Sequence, residues 1–233
     1  PEEIDRIFQS ATKTVPTKKV VGTVLPFRVI VDICRLGIAP LVQYLGIKTK
    51  HEAENSIDRG NFFDEAPTRR GIMNIIPPLF LFFAQFRSGI IGAAGNHFLD
   101  LMKVTEVVDP VVAAKFNLRK GQYILMVHCG SGILGQYTMY MFTAKKREHL
   151  STAILMNIGR FFWFTPFKNT VRMIAEKIRA SDFGKAEPLI TFDGDGEDGR
   201  LYMAARRACS NFAHANRATI THNFISTAES VLG

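Results

Sequence analysis

The chain has 233 residues, 47% hydrophobic and 21% charged, enough to build a real core and outside the collagen-like, low-complexity and disordered classes. Its 29 Lys and Arg against 21 Asp and Glu give a formal charge of +8, which suits an anionic partner (nucleic acid, nucleotide or phospholipid) without choosing among them. Three scattered cysteines, Cys34, Cys129 and Cys209, argue against a disulfide scaffold and for a reducing, cytoplasmic setting.

The chain opens on Pro1 without a positive-then-apolar leader and stops at Gly233 just past a helical pattern, so both ends read as cuts within a longer protein. Acids followed by Ile4, Ile7 and Phe8 predict a short helix over 2–12. Val20–Leu25 and Phe27–Ile33 are β-branched runs separated by Pro26, and 48–71 is polar surface helix and loop. The most apolar stretch, Ile72 to Phe83, is broken by Pro77-Pro78. Roughly 20 uninterrupted apolar residues are needed to cross a bilayer, so this is a buried segment or an interaction surface, and no membrane partner is expected.

Gly89–Gly95 is glycine-rich and leads into Asn96-His97-Phe98-Leu99-Asp100; Gln122–Val127 reads as a buried strand ending at His128-Cys129, followed by the glycine loop Gly130–Gly135. Lys168–Ala180 is an amphipathic helix and Asp193–Gly199 a polar loop. From Arg200 to about Ser230 a long helix carries the apolar stripe Leu201, Ala205, Ala208, Phe212, Ala215. No internal repeat and no linker marks a boundary, so one α+β domain over 1–233 is expected.

GSGILG at 130–135 satisfies the dinucleotide fingerprint after a predicted strand. The acid that should recognise a ribose after Ile154–Ile158 is missing, because Gly159-Arg160 follows. An NAD(P)-dependent oxidoreductase built on Gly130–Gly135 is therefore an alternative. His97 and His128, each at a strand end or in a glycine frame, are metal-ligand candidates, since imidazole suits Mn, Zn or Fe. DGDGEDG fails as a calcium loop, with Asp198 at the glycine position and Ala204 at the glutamate position. Cys129 beside His128 fails as a nucleophile–base pair, because adjacent strand residues point to opposite faces. Arg206, Arg207 and Arg217 read as a solvated charged face.

Those segments taken together carry a family resemblance. GIIGAAGNHFLDL (89–101) resembles the G-x-L-G-x-G-N-H-F-x-E segment of the RtcB RNA-splicing ligases. ILMVHCGSGILG (124–135) resembles their H-S-G-S-R-G-L-G segment, and AARRACSNFAHANRATI (204–220) is similar to their A-A-N-F-A-x-x-N-R helix. TKTVPT (12–17) is weakly similar to their I-x-x-x-V-P segment. The resemblance implies an RtcB-like mixed α+β fold and GTP- and Mn²⁺-dependent joining of RNA 3′-phosphate or 2′,3′-cyclic phosphate ends to 5′-hydroxyl ends, with an accessory activator protein as a further partner. It implies His97 and His128 as Mn²⁺ ligands and Asn96, His97, Phe98, Leu99 and Asp100 along the guanylate phosphates. The family's D-x-G-C-G cysteine would precede Pro1, and its GMP-accepting histidine would follow Gly233, so no catalytic nucleophile is expected within the chain. Gly132 stands where the family carries Arg and Asp100 where it carries Glu, which keeps open a catalytically inactive relative that binds RNA or nucleotide.

Overall fold

A computed structural model describes residues 24–46, 50–91, 97–142 and 193–232. The expected helices over 2–12 and Lys168–Ala180, and Asn96, lie outside these residues. The chain groups into two compact units, Pro1–Gln136 with Met203–Gly233, and Tyr137–Tyr202. Both divisions fall inside continuous helices, where no linker composition exists to be read.

In the first unit the β-branched run after Pro26 is not extended. It forms the first part of helix α1, Phe27–Leu36. Pro26 fixes the entry, and Ile30, Val31, Ile33 and Cys34 fall on one buried face, so amphipathic packing outweighs the β preference of Val and Ile. Helix α1 packs on α2 (Ala39–Leu45), α4 (Arg69–Ile75) and α5 (Pro78–Gln85). Between them lie the short α3 (Lys50–Asn55) and a tight turn at Ile57–Gly60. Thr68 caps α4, its hydroxyl accepting from the Gly71 amide at 3.0 Å. The apolar stretch at 72–83 is two helices meeting at Pro77. It buries Ile72, Ile76, Phe80 and Leu81 but leaves Leu79 and Phe82 exposed.

The Ile57–Gly60 turn runs through three consecutive left-handed residues, Asp58 (φ 52°), Arg59 (φ 53°) and Gly60 (φ 74°), and the two non-glycines each cost about 1 kcal/mol or more. Gly37 holds the other side of this contact. At φ 71°, ψ −139° it lies in a region open only to glycine, and a Cβ there would sit 1.8 Å from the Gly60 carbonyl oxygen. Gly37→Ala is expected to destabilise the protein by about 3 kcal/mol or more, read as a lowered thermal midpoint.

Asp32, half-buried on α1, accepts a two-pronged bond from Arg69 at 2.8 and 2.7 Å and a longer one from Arg35 at 3.3 Å. The Arg69 hydrogen bonds hold its carboxyl below the ordinary carboxylate value. A depressed folded-state pKa stabilises the fold above the unfolded value and loses that contribution as pH falls through the folded one. Asp32→Asn should therefore lower the thermal midpoint above about pH 5 and lose its effect toward about pH 2.

The sheet is a hairpin: β1 (Phe98–Lys103) pairs antiparallel with β2 (Tyr123–His128), Phe98 opposite His128 and Lys103 opposite Tyr123. Its connection carries α6, Pro110–Lys115, capped by the Asp109 carboxylate on the amides of Val111 and Val112 at 2.9 Å. The strand predicted at 122–127 is present but only half-buried, with Tyr123, Met126 and His128 exposed. One face lies on the long helix α8, Glu197–Leu232: Leu99 and Leu125 pack on Phe224, while Leu99 and Val127 pack on Cys129 and Ile220. Helix α7, Ile133–Met141, follows the glycine loop. Within the stripe of α8, Ala205, Ala208, Phe212 and Ala215 are buried as their spacing predicts, and Leu201 is exposed. The polar segment Asp193–Gly199 is loop only at its start, because α8 begins at Glu197 with Glu197 and Asp198 favouring its positive N-terminal end. Helices with a small antiparallel sheet make the chain α+β. No helix among the described residues is long and apolar enough to cross a membrane.

Candidate functional site

The hairpin register sets the site. Phe98 lies opposite His128, so the two share a face, and their rings stack at 5.4 Å with 17° between planes. His97, immediately before β1, places its ring centroid 6.0 Å from that of His128, although 30 residues separate them in sequence. Its Nε2 lies 3.9 Å from the position a Cβ would take at Gly130, ordinary contact distance that places the glycine loop beside the ring. His97 Nδ1 is buried with no hydrogen-bond partner among the described residues. A buried polar nitrogen without a partner costs about 1–3 kcal/mol, a cost that a bound cation would remove.

The five residues expected along a nucleotide do not act as one row. Strand alternation puts Phe98 and Asp100 on the His128 face, whereas Leu99 packs beneath it on α8. For Leu99, only the backbone is left to meet a ligand. Asn96 lies outside the described residues.

Behind the histidines, α8 supplies the support. Buried Asn216 accepts from the Gly89 amide at 2.8 Å and donates to the Gly130 carbonyl at 3.2 Å and the Cys129 Sγ at 3.3 Å. It thereby fastens the approach to His97 and the exit from His128 to one helix. Arg217, one residue on, donates to the Cys129 carbonyl at 2.8 Å. It is half-buried, so the solvated face predicted for Arg206, Arg207 and Arg217 fails at this position. Burial pulls the pKa values of Arg87 and Arg217 below the ordinary guanidinium value, and the nearby Cys129 counters part of that shift; an arginine remains a cation in any case. The site therefore combines two imidazoles, a glycine loop and two partly buried positive charges, a surrounding suited to phosphate oxygens.

Asn216 and Arg217 carry structural roles that composition did not reveal. The available signal was an asparagine in mid-helix, where it is a poor helix former and is retained for bonds its side chain makes elsewhere. Two imidazoles are the donor set present: no group of three or more His, Cys, Asp or Glu is gathered for a metal among the described residues. Cys34 is no substitute, since it lies fully buried in α1 and burial, with Cys209 nearby, pushes its thiol pKa well up. The dinucleotide alternative needs its glycine loop after a strand of a parallel βαβ unit; among the described residues β2 pairs antiparallel with β1, and the strand expected over Ile154–Ile158 lies outside them.

Comparison with known proteins gives the chain's family. The sequence profile of the tRNA-splicing ligase RtcB matches residues 84–233, which contain the hairpin, the glycine loop and α8. The chain is 30% identical over 130 residues to the tRNA-splicing ligase RtcB of Pyrococcus horikoshii, covering 55% of this chain and 12% of that protein. It is 30% identical over 145 residues to that of Archaeoglobus fulgidus (62% and 24%), and 28% identical over 128 residues to the RNA-splicing ligase RtcB of Mycobacterium tuberculosis (55% and 23%). The aligned region spans a quarter or less of each of these relatives. With the match extending over more than half of its residues and taking in both histidines, the chain belongs to the tRNA-splicing ligase RtcB family.

Proposed function

We propose that this chain provides part of the active site of a GTP- and Mn²⁺-dependent RNA ligase with an RtcB-like fold, joining RNA 3′-phosphate or 2′,3′-cyclic phosphate ends to 5′-hydroxyl ends in the cytoplasm. The observation that carries the reading is the His97–His128 pair, with its 6.0 Å ring separation and the unpartnered Nδ1 of His97, inside the segment matched to the family. His97 and His128 would hold the cation. Bound there, a divalent ion supplies neutralisation of phosphate charge and alignment for in-line attack. Phe98 and Asp100 line the same face toward the guanine nucleotide, and Arg217 and Arg87 contribute fixed positive potential behind the loop. Three free, buried cysteines support a reducing compartment.

The test is a ligation assay with the full-length gene product, because this chain alone is not expected to carry the GMP-accepting histidine, on RNA halves bearing a 3′-phosphate and a 5′-hydroxyl. A joined product that requires GTP and Mn²⁺, and is lost in His97→Ala and His128→Ala, is expected. Joining that persists in both variants would overturn the reading. A relative that binds RNA without joining it is the second reading, favoured by Gly132, where the family segment carries arginine. Retained RNA binding with no product under any metal would select it.

A further inference from the structure

A cavity among the described residues lies away from the histidines. It has a volume of about 710 Å³ and is lined by the left-handed turn and its continuation, including Arg59, Phe62 and Phe63, and by Arg206 and Arg207 of α8. On α8, the lining residues Met203, Arg206, Arg207 and Ser210 follow i, i+3, i+4, i+7 spacing and so form one face. Two acids, Asp58 and Asp64, also line it. Asp64 is 94% exposed and only 3.9 Å from Arg207, a contact too weak and solvated to neutralise the arginine.

The turn is held in this conformation from behind. Fully buried Asn211 accepts from the Phe62 amide at 2.8 Å and donates to the Asn61 side chain at 2.9 Å and to the Cys34 carbonyl at 3.1 Å. The strained residues at 58–60 are thus fixed by α1 and α8 together. Their fixed backbone presents Arg59 and the two phenylalanines to the cavity opposite Arg206 and Arg207.

Continued in steps of four, three, four and three, the same face of α8 passes from Met203 through Arg207, Ser210 and His214 to Arg217. His214 rests edge-on against Phe62 with ring centroids 5.1 Å apart, and Arg217 reaches the Cys129 carbonyl beside His128. At 1.5 Å per residue, Arg207 and Arg217 are roughly 15 Å apart along the helix, a span of a few nucleotides.

We propose that the cavity between the 58–64 turn and α8 is a docking site for a nucleotide unit of single-stranded RNA, upstream or downstream of the end held at the histidine pair. Guanidinium groups meet phosphate oxygens in a two-pronged geometry, and phenylalanine faces accept a stacked base without demanding a particular one. The site is sequence-tolerant by construction and registers a strand along α8. It rests on the RNA-ligase reading for the identity of the strand.

The experiment measures binding of a short fluorescent single-stranded RNA bearing a 3′-phosphate, by anisotropy across a salt series, with wild type, Arg206→Glu/Arg207→Glu, Phe63→Ala and His97→Ala. Thermal midpoints confirm that each variant is folded, and Arg206→Lys/Arg207→Lys serves if the charge reversal is not. Binding at least about 10-fold weaker in the double reversal, with a flatter dependence on salt, and about 5-fold or more weaker in Phe63→Ala, is expected. The lysine pair should recover part of the affinity. Wild-type binding that the arginine and phenylalanine variants leave unchanged would overturn this proposal while leaving the ligase reading intact. Failure of the wild type to bind RNA would overturn both. A parallel titration with GMP separates the sources of the ligand: loss of GMP binding with RNA binding unaffected would assign the cavity to a free nucleotide and overturn the strand assignment.

Discussion

Replacing His97 with alanine is expected to weaken Mn²⁺ binding by on the order of 100-fold, since even outer partners of metal ligands contribute 10- to 100-fold, while leaving the thermal midpoint of the metal-free protein nearly unchanged. The two effects separate a ligand from a structural histidine. A structural histidine is held by hydrogen bonds, and its removal leaves partners unsatisfied. His97 Nδ1 has no such partner among the described residues, so truncation removes a buried polar atom together with its desolvation cost, and this offsets the packing that is lost. His128→Ala should weaken the metal comparably and also lower the midpoint slightly, because it loses the stack on Phe98. Isothermal titration with Mn²⁺ and a thermal scan in chelator measure both quantities. A large drop in the midpoint of metal-free His97→Ala, with metal affinity retained, would make His97 a structural residue.

The second large effect is expected at Asn216. Alanine there leaves the Gly89 amide and the Gly130 carbonyl without their partner, at about 1–3 kcal/mol for each buried group left unsatisfied. The combined loss of about 2–6 kcal/mol corresponds to a fall of about 4–24 °C in the midpoint for a chain of this size. The consequence for function is specific to the place. Asn216 joins the segment before His97 to the loop after His128, so its loss should reduce metal affinity even though it touches no ligand. Asn211→Ala makes an informative comparison. It removes bonds to Phe62 and Cys34 and should lower stability similarly, with the metal site left as it is. Equal effects of the two variants on Mn²⁺ affinity would contradict a separate positioning role for Asn216.

Several features of this protein were legible one residue at a time. A short apolar run identified β2, helical spacing identified the buried face of α8 through Ala205, Ala208, Phe212 and Ala215, and Pro77-Pro78 located the break in the apolar segment. The glycine frames singled out His97 and His128 because local backbone freedom is written in composition. Where the sequence misled, two local preferences competed. Phe27–Ile33 has β-branched residues at helical spacing, and burial of one face decided for helix. Arg217 looks like any helix-surface arginine until β2 ends against it.

What the sequence determined by itself is therefore what depends on neighbours a few residues away: element type, the apolar faces, and which imidazoles stand in glycine-rich surroundings. Only the tertiary structure decided what those residues meet. The antiparallel register set Phe98 on His128 and brought the His97 ring centroid to 6.0 Å from that of His128. Asn211 and Asn216 acquired their partners 149 and 127 residues away, and a left-handed turn met α8 to make a cavity. Contacts between segments so far apart follow from how whole faces pack, and the spacing of residues along the chain carries no record of them.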